Sequence, residues 1–255
     1  MKIFMHYLRR ASLDPIGLLI FILLPVALVF LNVEINVATS HEIRGQAVAT
    51  NVVLMIMLMF QLMSGSYISE YICLDLKGAT RWRLLAAPVS LNKYLFSAMF
   101  ASLFFSLLTG AIVLTLGYFI YDVYMGNIVI IIAAMLLTAL FGQFLGIILA
   151  LLVDKSGTCT AVHLGISWGI FILSGFFGGI TLPVVGDVFT TYGTPFSAAI
   201  RAVMHSGVGL AVFEGGEFVY ASFDNADAIL SLGVLAGFVA VTGVAAVIIG
   251  RRRPI

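Results

Sequence analysis

Few residues of this chain can do chemistry, and most of those lie inside apolar runs. Gly165 to Gly169, GISWG, fits the G-x-S-x-G spacing of a hydrolase nucleophile elbow, with His163 one helical turn before Ser167. Such an elbow works from a strand–turn–helix junction and needs a third group to orient the base. Neither is evident, because the match falls within an apolar helical run. Intramembrane hydrolysis is therefore the weakest reading, and helix packing beside an interfacial histidine is expected. Metal chemistry has less still. His6, His41, His163 and His205 occupy four segments, and HEIRG lacks the second histidine of H-E-x-x-H. No metal site is expected, and each histidine is read as a surface or interfacial residue. Cys73 and Cys159 form no closely spaced pair and are read as free thiols.

The uncharged polar residues inside the apolar runs are Asn51, Gln61, Ser64, Gln143 and Ser167. They either line a translocation path or hydrogen-bond one helix to the next. No clear carboxylate stands with them. A carrier coupled to protons or sodium usually holds one within the membrane, so an ATP-independent transporter or channel is a second choice.

The elements that must position these residues follow from composition. Of 255 residues, 62% are hydrophobic and 10% charged, and mean hydropathy is +1.14. Soluble domains carry about 25% charge, so the chain reads as a polytopic membrane protein. Six apolar runs are long enough for helical spans: about 15–34, 48–68, 94–119, 127–152, 160–183 and 227–250. The first follows a basic segment but is too long for a signal-peptide core, so it is read as an uncleaved span. Gly142/Gly146, Gly175/Gly179 and Gly233/Gly237 have the spacing that lets helices approach closely. Residues 1–13 form an interfacial helix, with Phe4, Tyr7, Leu8 and Ala11 on one side, and Asp14-Pro15 starts the first span.

An even number of spans puts both termini on one side. Lys2, Arg9, Arg10, Lys77, Arg81, Arg83, Lys93, Lys155 and Arg251–Arg253 fall there, with only Arg44 and Arg201 opposite. That bias makes the shared side cytoplasmic. Residues 184–226 form an extracytoplasmic segment. In it YGTPFSAAIRAVMHSG reads as a short helix capped by Thr194, opened by Pro195 and ended by Gly207. EGGEFVYASFDNADA, polar enough for the outer surface, follows.

Residues 69–93 are a charged cytoplasmic insert. The sequence predicts that span two runs on into it, breaks at Gly78, and is followed by a short basic and apolar helix stopped at Pro88. Such a helix suits either a groove on a partner protein or an anionic lipid surface.

DLKGATRWRLLAAPVS, in this position between spans two and three, resembles the signature of ABC-2 type permeases, the membrane subunits of a class of ATP-binding-cassette exporters. The likeness extends to the N-terminal helix, the six spans and YGTPFSAAIRAVM. The glutamate–arginine pair common ahead of the glycine is here Asp75 and Lys77. The resemblance implies an all-α, six-span permease domain over 1–255, with a coupling helix between spans two and three and re-entrant or interfacial helices between spans five and six. It implies that Gly78, Ala79, Thr80, Arg81, Trp82, Leu84, Leu85, Ala86 and Pro88 form the coupling element. Leu84 and Leu85 would fill a cleft of the ATPase, and Arg81 and Arg83 would meet its acids. No G-x-x-x-x-G-K-[ST] occurs in the chain, so ATP and Mg are expected on a separate ATPase. Two ATPase copies and a second permease subunit, identical or not, are implied as partners in the cytoplasmic membrane. Nucleic acid is not. The cargo expected is hydrophobic or amphipathic: a drug, antibiotic, peptide or lipid.

Overall fold

The computed structural model describes residues 2–38, 42–78, 81–86, 90–175, 189–208, 211–214, 217–220 and 224–252. The chain has the all-α architecture of a polytopic membrane protein, with one short hairpin added. α1 (Lys2–Ser12) turns Tyr7 and Ala11 inward and leaves Met5, His6 and Arg9 exposed. Asp14 then caps the next helix. Its Oδ1 accepts from the Gly17 amide at 3.1 Å, and Pro15 sits in the first turn, where no N–H is needed. α2 (Pro15–Leu18) passes through a π turn, Leu19–Leu23, into α3 (Leu24–Ala38). Pro25 accounts for the turn: it has no N–H for the Phe21 carbonyl and its ring crowds that oxygen, so the ladder widens just before it.

α4 (Glu42–Met63) and α5 (Gly65–Lys77) meet at Ser64 and form one apolar stretch from Val48 to Lys77, 30 residues long. The helix runs past residue 68 and ends at Gly78, as the sequence predicts. Ser64 at the junction and Ser69 in α5 are both buried, Ser64 Oγ donating to the Gln61 carbonyl and Ser69 Oγ to the Ser66 carbonyl, each at 2.7 Å. α6 (Arg81–Ala86), α7 (Leu91–Tyr121) and α8 (Ile128–Leu152) follow.

α9 (Ser156–Leu173) begins and ends earlier than the expected 160–183. Gly175 stops it, with φ +79° and its amide 3.1 Å from the Ile172 carbonyl. Gly175 is thus a helix stop rather than a packing residue, and Gly179 lies outside the described residues. α10 (Pro195–Val203) opens on a capping box: Thr194 Oγ1 accepts from the Ser197 amide at 2.9 Å, and Ser197 Oγ from the Thr194 amide at 3.2 Å. The helix does not end at Gly207 but passes into a π turn, Met204–Val208. β1 (Ala211–Glu214) and β2 (Glu217–Tyr220) then pair antiparallel, Glu214 opposite Glu217. Only the Gly-Gly of EGGE signals that hairpin in the sequence. α11 (Asn225–Arg252) closes the chain.

Five helices among the described residues are long and apolar enough to cross a membrane: Val48–Lys77, Leu91–Tyr121, Ile128–Leu152, Ser156–Leu173 and Asn225–Arg251. Leu19–Ile35 adds a shorter apolar stretch. α4 packs on α3, α7 and α8, and α5 on α8 and α9, so this pair forms the centre. Backbone meets backbone at one crossing. A Cβ on Gly65 would lie 1.8 Å from the Gly142 carbonyl oxygen, and one on Gly146 would lie 2.2 Å from that of Gly65. The Gly142/Gly146 spacing therefore packs as read. Around Gly233 and Gly237 there is only open space among the described residues. α10 is inserted into the bundle against α8 and α11, with Phe196 fully buried and its ring 5.1 Å from that of Phe171.

Candidate functional site

The last turns of α5 gather the charges that the sequence singled out. Ile68, Ile72 and Asp75 recur at i, i+4 and i+7, so the carboxylate follows two buried isoleucines onto the inner face. α1 and the start of α7 meet it there. Asp75 Oδ2 accepts from the hydroxyls of Tyr7 and Tyr94, the latter at 2.8 Å, and Oδ1 accepts from Arg10 Nη1 at 3.0 Å. Burial, reinforced by the neighbouring Tyr94 and Asp75, pushes the Tyr7 phenol far above its ordinary value and keeps it a donor. The Arg10 guanidinium also lies 4.0 Å over the Tyr71 ring. Tyr71 donates to Asp14 Oδ2 at 2.7 Å, and Asp14 caps α2. One carboxylate thus ties α5 to α1 and α7, and a second carries the network on to the first span.

Lys77 faces elsewhere. Cys73 and Lys77 are one turn apart, and both reach the end of α8. Lys77 Nζ donates to the Val153 carbonyl and lies 3.1 Å from Asp154, while Cys73 Sγ is 3.6 Å from the same carbonyl. Val153 closes α8, so the ammonium meets a carbonyl left without a helical donor. Asp75 and Lys77 do not pair with each other. They fasten the same helix end to different elements.

Gly78 ends α5, its amide 2.8 Å from the Leu74 carbonyl. α6 then projects Arg81, Trp82 and Ala86 as exposed residues, Trp82 at 63%. Ala79, Thr80 and Pro88 lie outside the described residues, as do the side chains of Arg83, Leu84 and Leu85.

Deeper in the bundle the intramembrane polar residues join into a thread. Ser106 Oγ donates to Gln61 Oε1, Gln61 Nε2 to the Ser106 carbonyl at 2.9 Å, and Gln143 Nε2 to Ser64 Oγ at 3.1 Å. Gln143 Oε1 and Asn51 Oδ1 are buried with no donor among the described residues. These bonds hold α4, α7 and α8 together.

The expectation of an interfacial His163 is corrected: it is fully buried, its Nε2 3.1 Å from the Gly142 carbonyl and its Nδ1 3.4 Å from Ser167 Oγ. The Gly65–Gly142 contact creates that position, since a helix crossing without side chains leaves the Gly142 carbonyl accessible to an imidazole from α9. A backbone carbonyl thus orients the ring, which sequence reasoning had not foreseen. The serine and histidine nevertheless sit on one helix between packed neighbours. Ser167→Ala is expected to leave transport unchanged and to shift thermal unfolding by no more than the loss of one weak hydrogen bond, about 1 kcal/mol. A hydrolytic activity lost in this variant would overturn the packing role.

Residues 27–248 match the family model described as ABC-2 family transporter protein. The chain belongs to the ABC-2 transporter family. No curated protein matches it in a whole-sequence comparison. ABC-2 permeases are membrane subunits of transporters and generally work with an ABC ATPase, which fits a multi-pass chain that is not itself an enzyme. Within this ABC-2 permease the structure brings Asp75, Lys77 and Gly78 together at the root of α6. It gives Gln61, Ser64, Gln143 and Ser167 partners inside the bundle. The anchors missed from the sequence are Tyr7, Arg10, Tyr71, Tyr94 and the Val153–Asp154 connection. One signal was present: Tyr7 and Arg10 lie one turn apart on a helix whose apolar side had been recognised.

Proposed function

We propose that this chain is the permease subunit of an ATP-driven exporter, coupled through α6 to a separate ABC ATPase. Both termini and the α5–α6–α7 connection face the cytoplasm. Two ATPase copies, carrying ATP and Mg, serve a pair of permease subunits in the cytoplasmic membrane, and the cargo is hydrophobic or amphipathic. The observation that supports coupling is the mounting of α6. A helix with Arg81 and Trp82 exposed follows a helix end that Asp75 and Lys77 fasten to α1, α7 and the α8–α9 connection. The docked helix biases the transport states only through contacts that differ between open and closed ATPase.

Arg81→Glu and Trp82→Ala test the assignment. Each is expected to cut co-purification of the ATPase from membranes about tenfold or more, the scale of one hot-spot side chain, and to remove ATP-dependent transport. Membrane insertion, read by the yield of detergent-soluble monodisperse protein, is expected to be unchanged. Full ATPase binding and transport in both variants would sink the role of α6.

A further inference from the structure

At the other end of α8 from Val153, α10 runs into its π turn with Arg201 and His205 one turn apart. Both are partly buried beside the fully buried Ala202 and Val203. Arg201 Nε and His205 Nδ1 have no accessible surface and are bonded to nothing among the described residues. Nor does any carboxylate among the described residues pair with Arg201, whose guanidinium lies 5.0 Å over the Tyr192 ring. Asp224 is close in the backbone, its amide 3.3 Å from the His205 carbonyl. Its Oδ1, however, accepts from the Ala226 and Asp227 amides at 2.8 and 3.3 Å and so caps α11. Asn127 caps α8 in the same way, and its amide is 2.9 Å from the Ser206 carbonyl. Arg201 and His205 are thus held level with the starts of two spans. In a membrane-spanning chain that is the depth at which the lipid headgroups begin.

We propose that Arg201 and His205 hold a phosphate group at this depth, carried by a phospholipid of that leaflet or present as the free ion. A partly buried guanidinium with an unsatisfied nitrogen and no protein counter-ion is costly, and an anion at its outer nitrogens offsets that cost. The planar fork of arginine matches two phosphate oxygens, and the imidazole Nε2–H adds a donor from one turn further on. Tyr192 backs the guanidinium and fixes its plane. Phosphate is the anion that the bilayer itself supplies at headgroup depth. The inference does not depend on coupling through α6.

The test follows thermal unfolding of the full chain in detergent, without ATP or ATPase. The probes are dioctanoyl phosphatidic acid, dioctanoylglycerol, which has the same chains without the phosphate, and sodium phosphate balanced against sodium chloride at equal ionic strength. A saturable rise in unfolding temperature with phosphatidic acid is expected, and none with dioctanoylglycerol. Arg201→Gln is expected to weaken the apparent affinity about tenfold or more, the loss of a charge-assisted contact. Arg9→Gln, at an exposed arginine of α1, is expected to leave it unchanged. If Arg201→Gln is poorly folded, Arg201→Lys and His205→Leu are read instead, the first keeping the charge without the fork and the second removing the imidazole donor. A rise with sodium phosphate that is lost in the same variants assigns the free ion as ligand, and a rise with phosphatidic acid alone assigns the headgroup. Equal rises with dioctanoylglycerol, no rise with either phosphate probe, or unchanged affinity in the Arg201 and His205 variants would overturn the inference. The proposed coupling through α6 would stand in each case.

Discussion

Gly65→Ala is expected to abolish the folded protein. The new methyl would sit 1.8 Å from the Gly142 carbonyl oxygen and 2.6 Å from His163 Nε2. Overpacked cores lose about 1–3 kcal/mol when side chains can shift. Here the obstacle is backbone on the facing helix, so α5 and α8 must separate and a loss at or above the top of that range is expected. Separation also breaks the His163–Gly142 bond and leaves a buried imidazole without its acceptor. Gly165→Ala and Gly169→Ala are the matched controls, because no described residue beyond the helix itself lies within 4 Å of a Cβ at either position. They are expected to unfold at or slightly above the native temperature, since alanine is favoured over glycine in a helix by about 0.5–1 kcal/mol. Thermal unfolding in detergent, read by the loss of the monodisperse peak, separates the two outcomes. Native stability in Gly65→Ala would contradict the crossing described above.

Asp75→Ala is the second large effect. It strands the Arg10 guanidinium and leaves the hydroxyls of Tyr7 and Tyr94, which share that one carboxylate, with only each other as partners. Hydrogen bonds to a charged group contribute about 1.5–3 kcal/mol each, but Arg10 and Asp75 side chains are 30% and 22% exposed, and water compensates part of the loss. A net cost of about 2–4 kcal/mol is expected. Asp75→Asn keeps an acceptor for the tyrosines and is expected to cost about half as much. The specific sign is release of α1: trypsin should cut after Arg9 or Arg10 faster in Asp75→Ala than in the native protein. Unaltered cleavage and unfolding would mean that the network does not hold α1.

The long apolar helices were legible because lipid imposes a simple rule: about 20 apolar residues in a row. The junction was not, because its partners are remote in sequence. Asp75 is bonded to Arg10 and Tyr94, and Lys77 to Asp154, and no local pattern announces such contacts. The continuation of the second span's helix to Gly78 was legible as well, because a glycine marks its end. His163 shows the limit most clearly. Its burial depends on the absence of side chains at Gly65 and Gly142, two residues that say nothing about a histidine until the helices are crossed.

The unbroken run from Val48 to Lys77 also has a mechanical consequence. At 1.5 Å per residue, 30 helical residues measure about 45 Å, against roughly 30 Å of hydrocarbon. About 15 Å must therefore stand clear of the lipid tails or lean across them. From Ser64 to Lys77 the arm is about 20 Å long, so a tilt of about 10° at Ser64 would sweep the Lys77 end through roughly 3–4 Å. That is the scale on which packed helices slide past one another. Because the arm's tip is fastened on two sides, such a sweep would draw α1 and the α8–α9 connection along with it, and the tilt would be shared by elements on opposite flanks of the bundle.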